Sequence, residues 1–292
     1  MKTAFISGAA TGIGEGLVTK LAGEGWQVFA GYRSSPPQKA SWFGRPKVVP
    51  VRCDITNDEE VEEAAKVVAG HTGGCLDLLI NNAGFFGSGG VVEAANMDEY
   101  RRTMEINFYG PLKLLTSFMP LIRKGSGPKG GKGRVINVAS SSTYMTFPMA
   151  SAYTVSKQAL KTATLHLRME MAPFGVQVTT LDPGAVDTPM SGQQEDNAAK
   201  QWASIPERLR DQYRAHFIDS DSMMQGSFKL HSPQRFADQV YHKIICSDRF
   251  KPVYVLGPGV AAMPWMHRLL PMQQVENIWA KLFRAKKTQL SN

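Results

Sequence analysis

The chain has 292 residues, 43% hydrophobic, 20% charged and 9% aromatic, which supplies a sizeable core and excludes a disordered chain. Three cysteines, Cys53, Cys75 and Cys246, form no CxxC pair, and the six histidines show no ligand spacing, so neither a disulfide framework nor a metal site is expected. The formal charge of +8 is concentrated late, where residues 249–292 hold seven Lys or Arg against one acid, Glu276.

No secretory leader pattern, no Asn-x-Ser/Thr acceptor and no apolar run of the ~20 residues that a membrane span needs occurs, and a cytoplasmic location is expected. Apolar runs of strand length at residues 3–7, 27–32, 48–52, 76–81, 134–138, 176–181 and 252–256 alternate with amphipathic helical stretches. That alternation predicts a single doubly wound α/β domain over 1–292, with about seven parallel strands and helices on both faces. In such folds ligands gather at the carboxyl ends of the strands.

In chain order, the first strand runs into Ser7-Gly8-Ala9-Ala10-Thr11-Gly12-Ile13-Gly14 and then a helix. A glycine-rich turn entering a helix lets backbone N–H groups and the helix dipole meet a pyrophosphate. The second strand ends in Arg33, with Ser34, Ser35 and Lys39 behind it, and lacks the acid that would accept from a ribose 2′-hydroxyl. A guanidinium there suits a 2′-phosphate, so NADP(H) is preferred and NAD(H) is the alternative.

Helix starts are expected at Thr56 with Glu59, at Asn96 with Glu99, and at Ser232-Pro233. Asn81-Asn82-Ala83-Gly84 follows the fourth strand, where amides can tie down the sheet edge and the Ala83-Gly84 pair permits close approach of a cofactor. The Gly/Lys-rich stretch 125–133 reads as a surface connection. Ser140 lies just past the fifth strand, with Ser141, Ser142 and Ser151 as competitors for the same role. Tyr153 and Lys157 stand four apart in a helix expected over 152–171 and share a face, where an ammonium would favour the phenolate. Asp77 and Asp182 flank strands singly and make no carboxylate pair, and Cys53 packs as a small hydrophobe. Residues 191–231 form a polar insertion that breaks the alternation and is expected to be a substrate lid. A basic extension over 257–292 closes the chain.

Taken in order, Gly8…Gly12-Ile13-Gly14, Asp54, Asn81–Gly84, Asn107, Ser140, Tyr153 with Lys157, and Pro183-Gly184…Thr188 resemble a short-chain dehydrogenase/reductase of the common single-domain, Rossmann-type form. The match covers roughly residues 1–190, and 232–256 also fits. The resemblance implies that Tyr153 is the acid/base, Lys157 lowers its pKa and holds the nicotinamide ribose, Ser140 positions the carbonyl oxygen, and Asn107 anchors a proton-relay water. It also implies that Asp54 with Ile55 meets the adenine, that Thr11 and Asn82 line the cofactor cleft, and that Val186 and Thr188 contact the carboxamide. Thr11 stands where many NADP-binding relatives carry a basic residue, so cofactor choice rests on Arg33.

The sequence therefore predicts an NADP-dependent oxidoreductase that moves hydride between the nicotinamide and the carbonyl or alcohol carbon of an apolar ketone or secondary alcohol. Its specificity is assigned to 191–231 and to Phe147-Pro148-Met149-Ala150; the late region 253–283 resembles that of family members that handle steroid- or retinoid-like substrates, and small ketones fit equally. A cofactor-binding regulator without turnover is the rival on the same fold. A sugar-nucleotide epimerase would show GxxGxxG and a larger C-terminal domain. By resemblance, helices over 96–123 and 152–171 pair across a two-fold axis in a homodimer or homotetramer. No nucleic-acid partner is expected, and the tail cations Lys281, Arg284, Lys286 and Lys287 beside Trp265 and Trp279 read as a solvated helix end, with an anionic membrane surface as the alternative.

Overall fold

Apolar runs without polar alternation must be covered on both faces, and parallel strands flanked by helices achieve this. The seven strands are β1 (Thr3–Ile6), β2 (Gln27–Tyr32), β3 (Val48–Arg52), β4 (Leu78–Asn81), β5 (Arg134–Val138), β6 (Gln177–Pro183) and β7 (Val253–Leu256). They form one sheet in the order β3-β2-β1-β4-β5-β6-β7, every neighbouring pair parallel. The computed structural model describes residues 1–34, 36–87, 89–125, 132–146, 148–189, 202–203, 205–216 and 230–283.

The helices are α1 (Gly12–Gly23), α2 (Asp58–Thr72), α3 (Met97–Met104), α4 (Gly110–Lys124), α5 (Ser151–Met171), α6 (Glu207–His216), α7 (Pro233–Val240), α8 (Met263–Leu269) and α9 (Met272–Phe283). Alternate strand residues feed two cores. Ala4, Ile6, Val28, Ala30, Leu78 and Ile80 pack with Leu17 and Leu21 of α1 and Phe236 of α7. Phe5, Phe29, Leu79, Val135 and Val178 pack on the other face with Val68 of α2, Phe118 of α4 and Met171 of α5. Among the described residues no helix is long and apolar enough to cross a membrane.

All seven expected strands form, with shifted ends. β4 begins at Leu78 because Leu76 N donates to Leu121 O and Asp77 accepts from Thr3 N and Oγ1 instead. Asn96 and Ser232 cap α3 and α7 as expected, Asn96 accepting from Asp98 N and Glu99 N and Ser232 from Arg235 N. Thr56 does not cap α2: its hydroxyl donates to Asp54 Oδ1, and Asn57 takes the role by accepting from Glu60 N at 3.0 Å. The stretch expected as one helix over 96–123 is α3, a π-helical turn at Glu105–Tyr109, and α4. The sheet order reverses between β1 and β4, so a crevice opens at their carboxyl ends, where the glycine-rich turn and Asn81–Gly84 lie.

Candidate active site

The glycine-rich turn is shaped by backbone demands. Gly8 and Gly12 adopt φ of 63° and 59°, which side-chain-bearing residues rarely adopt. At Gly14 a Cβ would lie 2.2 Å from Gly8 O, so the start of α1 closes tightly on the turn. The turn is clamped by Asn82, whose Nδ2 donates to Ser7 O at 3.0 Å and Gly8 O at 3.1 Å, while the N–H groups of Asn82 and Ala83 donate to Ser7 Oγ. Thr188 reaches over from beyond β6, because a Cβ on Gly12 would lie 2.9 Å from its methyl. A parallel bridge between Val186 and His231 fixes that segment. The N-terminal end of α1 and this bare backbone cradle therefore fit the pyrophosphate of a dinucleotide.

Of the other cofactor residues expected from sequence, Arg33 is exposed just past β2. Asp54 Oδ1 accepts from Thr56 N and Oγ1, and its N–H donates to Glu60. Ile55 turns its side chain into the core, where it meets Gly110. Pro183 ends β6, and Gly184 N donates to Leu256 O. The amides expected to tie a sheet edge instead tie its centre: Asn81 Nδ2 donates to Asn137 Oδ1 at 2.7 Å, and Asn137 Nδ2 to Thr164 Oγ1 of α5 at 2.8 Å.

The π-helical turn carries Asn107 inward, fully buried. Its amide donates to Phe85 O and Ser156 Oγ and accepts from Phe85 N, joining the loop after β4 to α5. Lys157 is buried, and its Nζ donates to Val138 O at 2.9 Å and lies beside Gly84. Desolvation lowers the Lys157 ammonium to about 8, against an opposing pull from Asp182. Tyr153 is half-buried, and burial raises its phenol above the ordinary range, opposed by a hydrogen bond from Ser140 and reinforced by the Asp182 charge. Lys157 Nζ stands 6.0 Å from the centroid of the Tyr153 ring.

Ser140, Tyr153, Lys157 and Asn107 thus meet at one end of the sheet. Of the competing serines, Ser141 and Ser142 are buried in the turn, and the Ser151 hydroxyl pairs with Tyr100. Sequence reasoning missed several neighbours. The Phe86 ring lies 4.9 Å from that of Tyr153, centroid to centroid. Trp42, fully buried, donates its indole N–H to Ala9 O of the glycine-rich turn at 2.8 Å. Asp182, read from sequence as solitary, forms a buried ion pair with Lys161 at 2.7 Å. The i, i+4 spacing of Lys157 and Lys161 was the one available signal for that pair.

Of the expected lid and its surroundings, residues 190–201, 204 and 217–229 lie outside the described residues, as does Phe147. The described part packs Ile205, Leu209, Trp202 and Tyr213 against Val91 and Met149. Residues 126–131 of the glycine-rich connection, and Arg284, Lys286 and Lys287 of the tail, are likewise outside.

Comparison with known proteins agrees with this geometry. Residues 2–199 match the family model described as short chain dehydrogenase. The NADPH-dependent 1-acyldihydroxyacetone phosphate reductase of Schizosaccharomyces pombe is 31% identical over 89% of this chain and 83% of its own. Retinol dehydrogenase 5 of Mus musculus is 31% identical over 74% of this chain and 67% of its own. Among solved structures, a short chain dehydrogenase from Burkholderia cenocepacia in complex with NADP superposes with a TM-score of 0.71 at 25% identity, covering 96% of this chain and 99% of that one. The protein is a member of the short-chain dehydrogenase family of oxidoreductases.

Proposed function

We propose that the protein is an NADP(H)-dependent oxidoreductase acting on the carbonyl or alcohol carbon of an apolar ketone or secondary alcohol, with Tyr153 as its acid/base. The carrying observation is the convergence of Ser140, Tyr153, Lys157 and Asn107 at the carboxyl ends of β4 and β5, beside the turn clamped by Asn82. When bound, the nicotinamide supplies or accepts the hydride at the substrate carbon.

The chain's residues manage the oxygen of that carbon. The Ser140 hydroxyl hydrogen-bonds it, and Tyr153 Oη gives it a proton in reduction or takes one in oxidation. Burial keeps the phenol protonated through neutral pH, so the resting site holds the proton that reduction uses. Burial lowers the Lys157 ammonium to about 8, one helical turn beyond Tyr153 and beside Gly84. Asn107 holds the loop after β4 against α5, keeping Gly84 beside Lys157.

Arg33 supports NADP(H), as does the NADPH-dependence named for the fission-yeast relative. The Phe86 ring on Tyr153, and the Val91, Met149, Ile205 and Leu209 cluster, support an apolar substrate under a lid that includes α6. Exposed Tyr109 beside α4 and exposed Val155, Leu165 and Met169 on α5 support a homodimer through those helices. Measuring mass in solution before and after Met169→Glu tests that assembly.

The decisive experiment titrates NADPH and NADH against the protein and its Arg33→Ala variant, then follows turnover of a ketone panel with and without Tyr153→Phe. NADPH preference lost in Arg33→Ala, with turnover lost in Tyr153→Phe, supports the reading. Binding without turnover of any ketone or alcohol returns the regulator to the front.

A further inference from the structure

Behind the turn that carries Ser140 lies a buried charge pair with no part in the chemistry outlined above. Lys161 sits one helical turn beyond Lys157 on α5, and Asp182 is the penultimate residue of β6, fully buried. Lys161 Nζ donates to Asp182 Oδ2 at 2.7 Å and to Thr143 Oγ1 at 3.1 Å, and stands 3.8 Å from the centroid of the Tyr144 ring. Thr143 Oγ1 in turn donates to Ser140 O at 2.8 Å. An unbroken chain of hydrogen bonds therefore runs from the Asp182 carboxylate through Lys161 and Thr143 to the backbone of Ser140.

The same turn is held elsewhere. Ser140 Oγ accepts from Ser142 N at 3.1 Å, which orients the hydroxyl from within. From outside, His267 Nε2 of α8 bonds Tyr144 O at 2.7 Å, and Tyr144 and Met145 pack on the cluster of Val260, Met263, Val275 and Trp279. Burial raises the Asp182 carboxyl above the ordinary carboxylate range, opposed by the Lys161 ammonium and by the Tyr144 phenol, while its Oδ1 has no hydrogen-bond partner of ordinary geometry among the described residues.

A buried ion pair is a poor source of stability, because desolvating both charges offsets much of their attraction. An ammonium offers something a hydrocarbon does not: three directed donors and a charge that seats on an aromatic face. Here those are spent on a carboxylate, a hydroxyl and a ring, two of which belong to the Ser140 turn.

We infer that Lys161 and Asp182 are a positioning pair that fixes the turn through Thr143 and Tyr144 and thereby aims the Ser140 hydroxyl at the substrate oxygen shared with Tyr153. The inference rests on the proposed roles of Ser140 and Tyr153. The titratable groups that sense Asp182 are Lys157, Lys161 and Tyr153 of α5 and Tyr144 of the turn. Its charge raises the affinity of Tyr153 and Lys157 for protons, so the pair also sets where the acid/base titrates.

The test uses the full-length protein and its best ketone. Tyr153→Phe is made first; retained turnover there overturns the acid/base reading itself and is a separate outcome. Given loss in Tyr153→Phe, the charge-neutral replacement Lys161→Met with Asp182→Leu is compared with wild type, each with and without Ser140→Ala. The expected result is a kcat about tenfold or more lower with NADPH affinity unchanged, because misaimed groups lose rate before binding. Ser140→Ala should then cost much less in the pair-less background than in wild type, which a structural role alone would not produce. The alkaline limb of the reduction profile should move to lower pH, since Tyr153 loses the charge that holds its proton.

Should that double variant fail to fold, Thr143→Val with Tyr144→Phe cuts the links and leaves both charges in place. Its kcat and its sensitivity to Ser140→Ala should fall in the same way. A kcat close to wild type in the folded variant, or an equal cost of Ser140→Ala in both backgrounds, overturns the inference.

Discussion

The side-chain amide of Asn82 donates to the carbonyl oxygens of both Ser7 and Gly8, so one residue after β4 holds the turn after β1 in shape. Removing it with Asn82→Ala takes that donor from two carbonyls, one half-buried and one exposed, and an intramolecular hydrogen bond contributes about 0.5–1.5 kcal/mol. Urea unfolding should register a loss of about 1–2 kcal/mol. Dinucleotide affinity, followed by fluorescence, should fall by at least about tenfold, since 1.4 kcal/mol of lost preorganisation corresponds to that factor.

Trp42 acts on the same turn from the opposite side. Its indole N–H donates to Ala9 O, and the next residue back, Ser41, donates its N–H to Glu15 Oε1 on α1. These bonds dock the connection between β2 and β3 onto the site, and that connection carries Arg33 and Lys39. Trp42→Phe keeps an aromatic ring and removes the donor. The expected outcome is a stability loss of about 1–2 kcal/mol and a smaller difference between NADPH and NADH dissociation constants, measured by parallel titrations.

Lys157 is a case where function and stability oppose each other. Its folded value of about 8 lies below the ordinary 10.5, so the folded state holds its proton less tightly than the unfolded one. The destabilisation is full below pH 8, shrinks between pH 8 and 10.5, and vanishes above that window. At about 1.4 kcal/mol per unit it amounts to about 3 kcal/mol at neutral pH. Lys157→Met removes that cost but orphans Val138 O, worth about 1–2 kcal/mol in the other direction. Chemical denaturation at pH 7 should show the variant about 1–2 kcal/mol more stable than wild type, with the advantage gone at pH 10.5 and with turnover abolished. A variant less stable at pH 7 would mean that Lys157 is not desolvated as the structure has it.

The features legible in the sequence are those written in local spacing. Seven strands follow from apolar runs between helices, and the glycine-rich turn follows from its place between β1 and α1. Tyr153 and Lys157 follow from a four-residue interval. Features that depend on two distant segments meeting were not legible. Asp182 looks solitary until β6 is laid beside α5 and Lys161 arrives, and Trp42 looks like a loop aromatic until it folds onto Ala9. The capping of α2 was a contest between adjacent competent residues, decided when Asp54 drew the Thr56 hydroxyl away. The π-helical turn that buries Asn107 adds a residue to the helical repeat, which periodicity cannot register in advance.

Met149 gives the sharpest test of the substrate wall. It is the one non-glycine residue with positive φ among the described residues, at 64°, and its side chain is nevertheless buried with Val91, Ile205 and Leu209. Left-handed backbone costs an ordinary residue about 1–2 kcal/mol, whereas removing a buried Met side chain costs about 2–5 kcal/mol. The packing term is the larger, so Met149→Gly should loosen this cluster despite relieving the backbone. Because the cluster is separate from the two sheet-face cores, the damage should be local. Limited proteolysis should cut faster around α6 while the main unfolding transition stays in place. KM should rise for bulky apolar ketones and hold for small ones, since only the former need the wall. Equal KM values for both classes in wild type and variant would remove Met149 and α6 from the substrate site and leave specificity to the loop carrying Phe86.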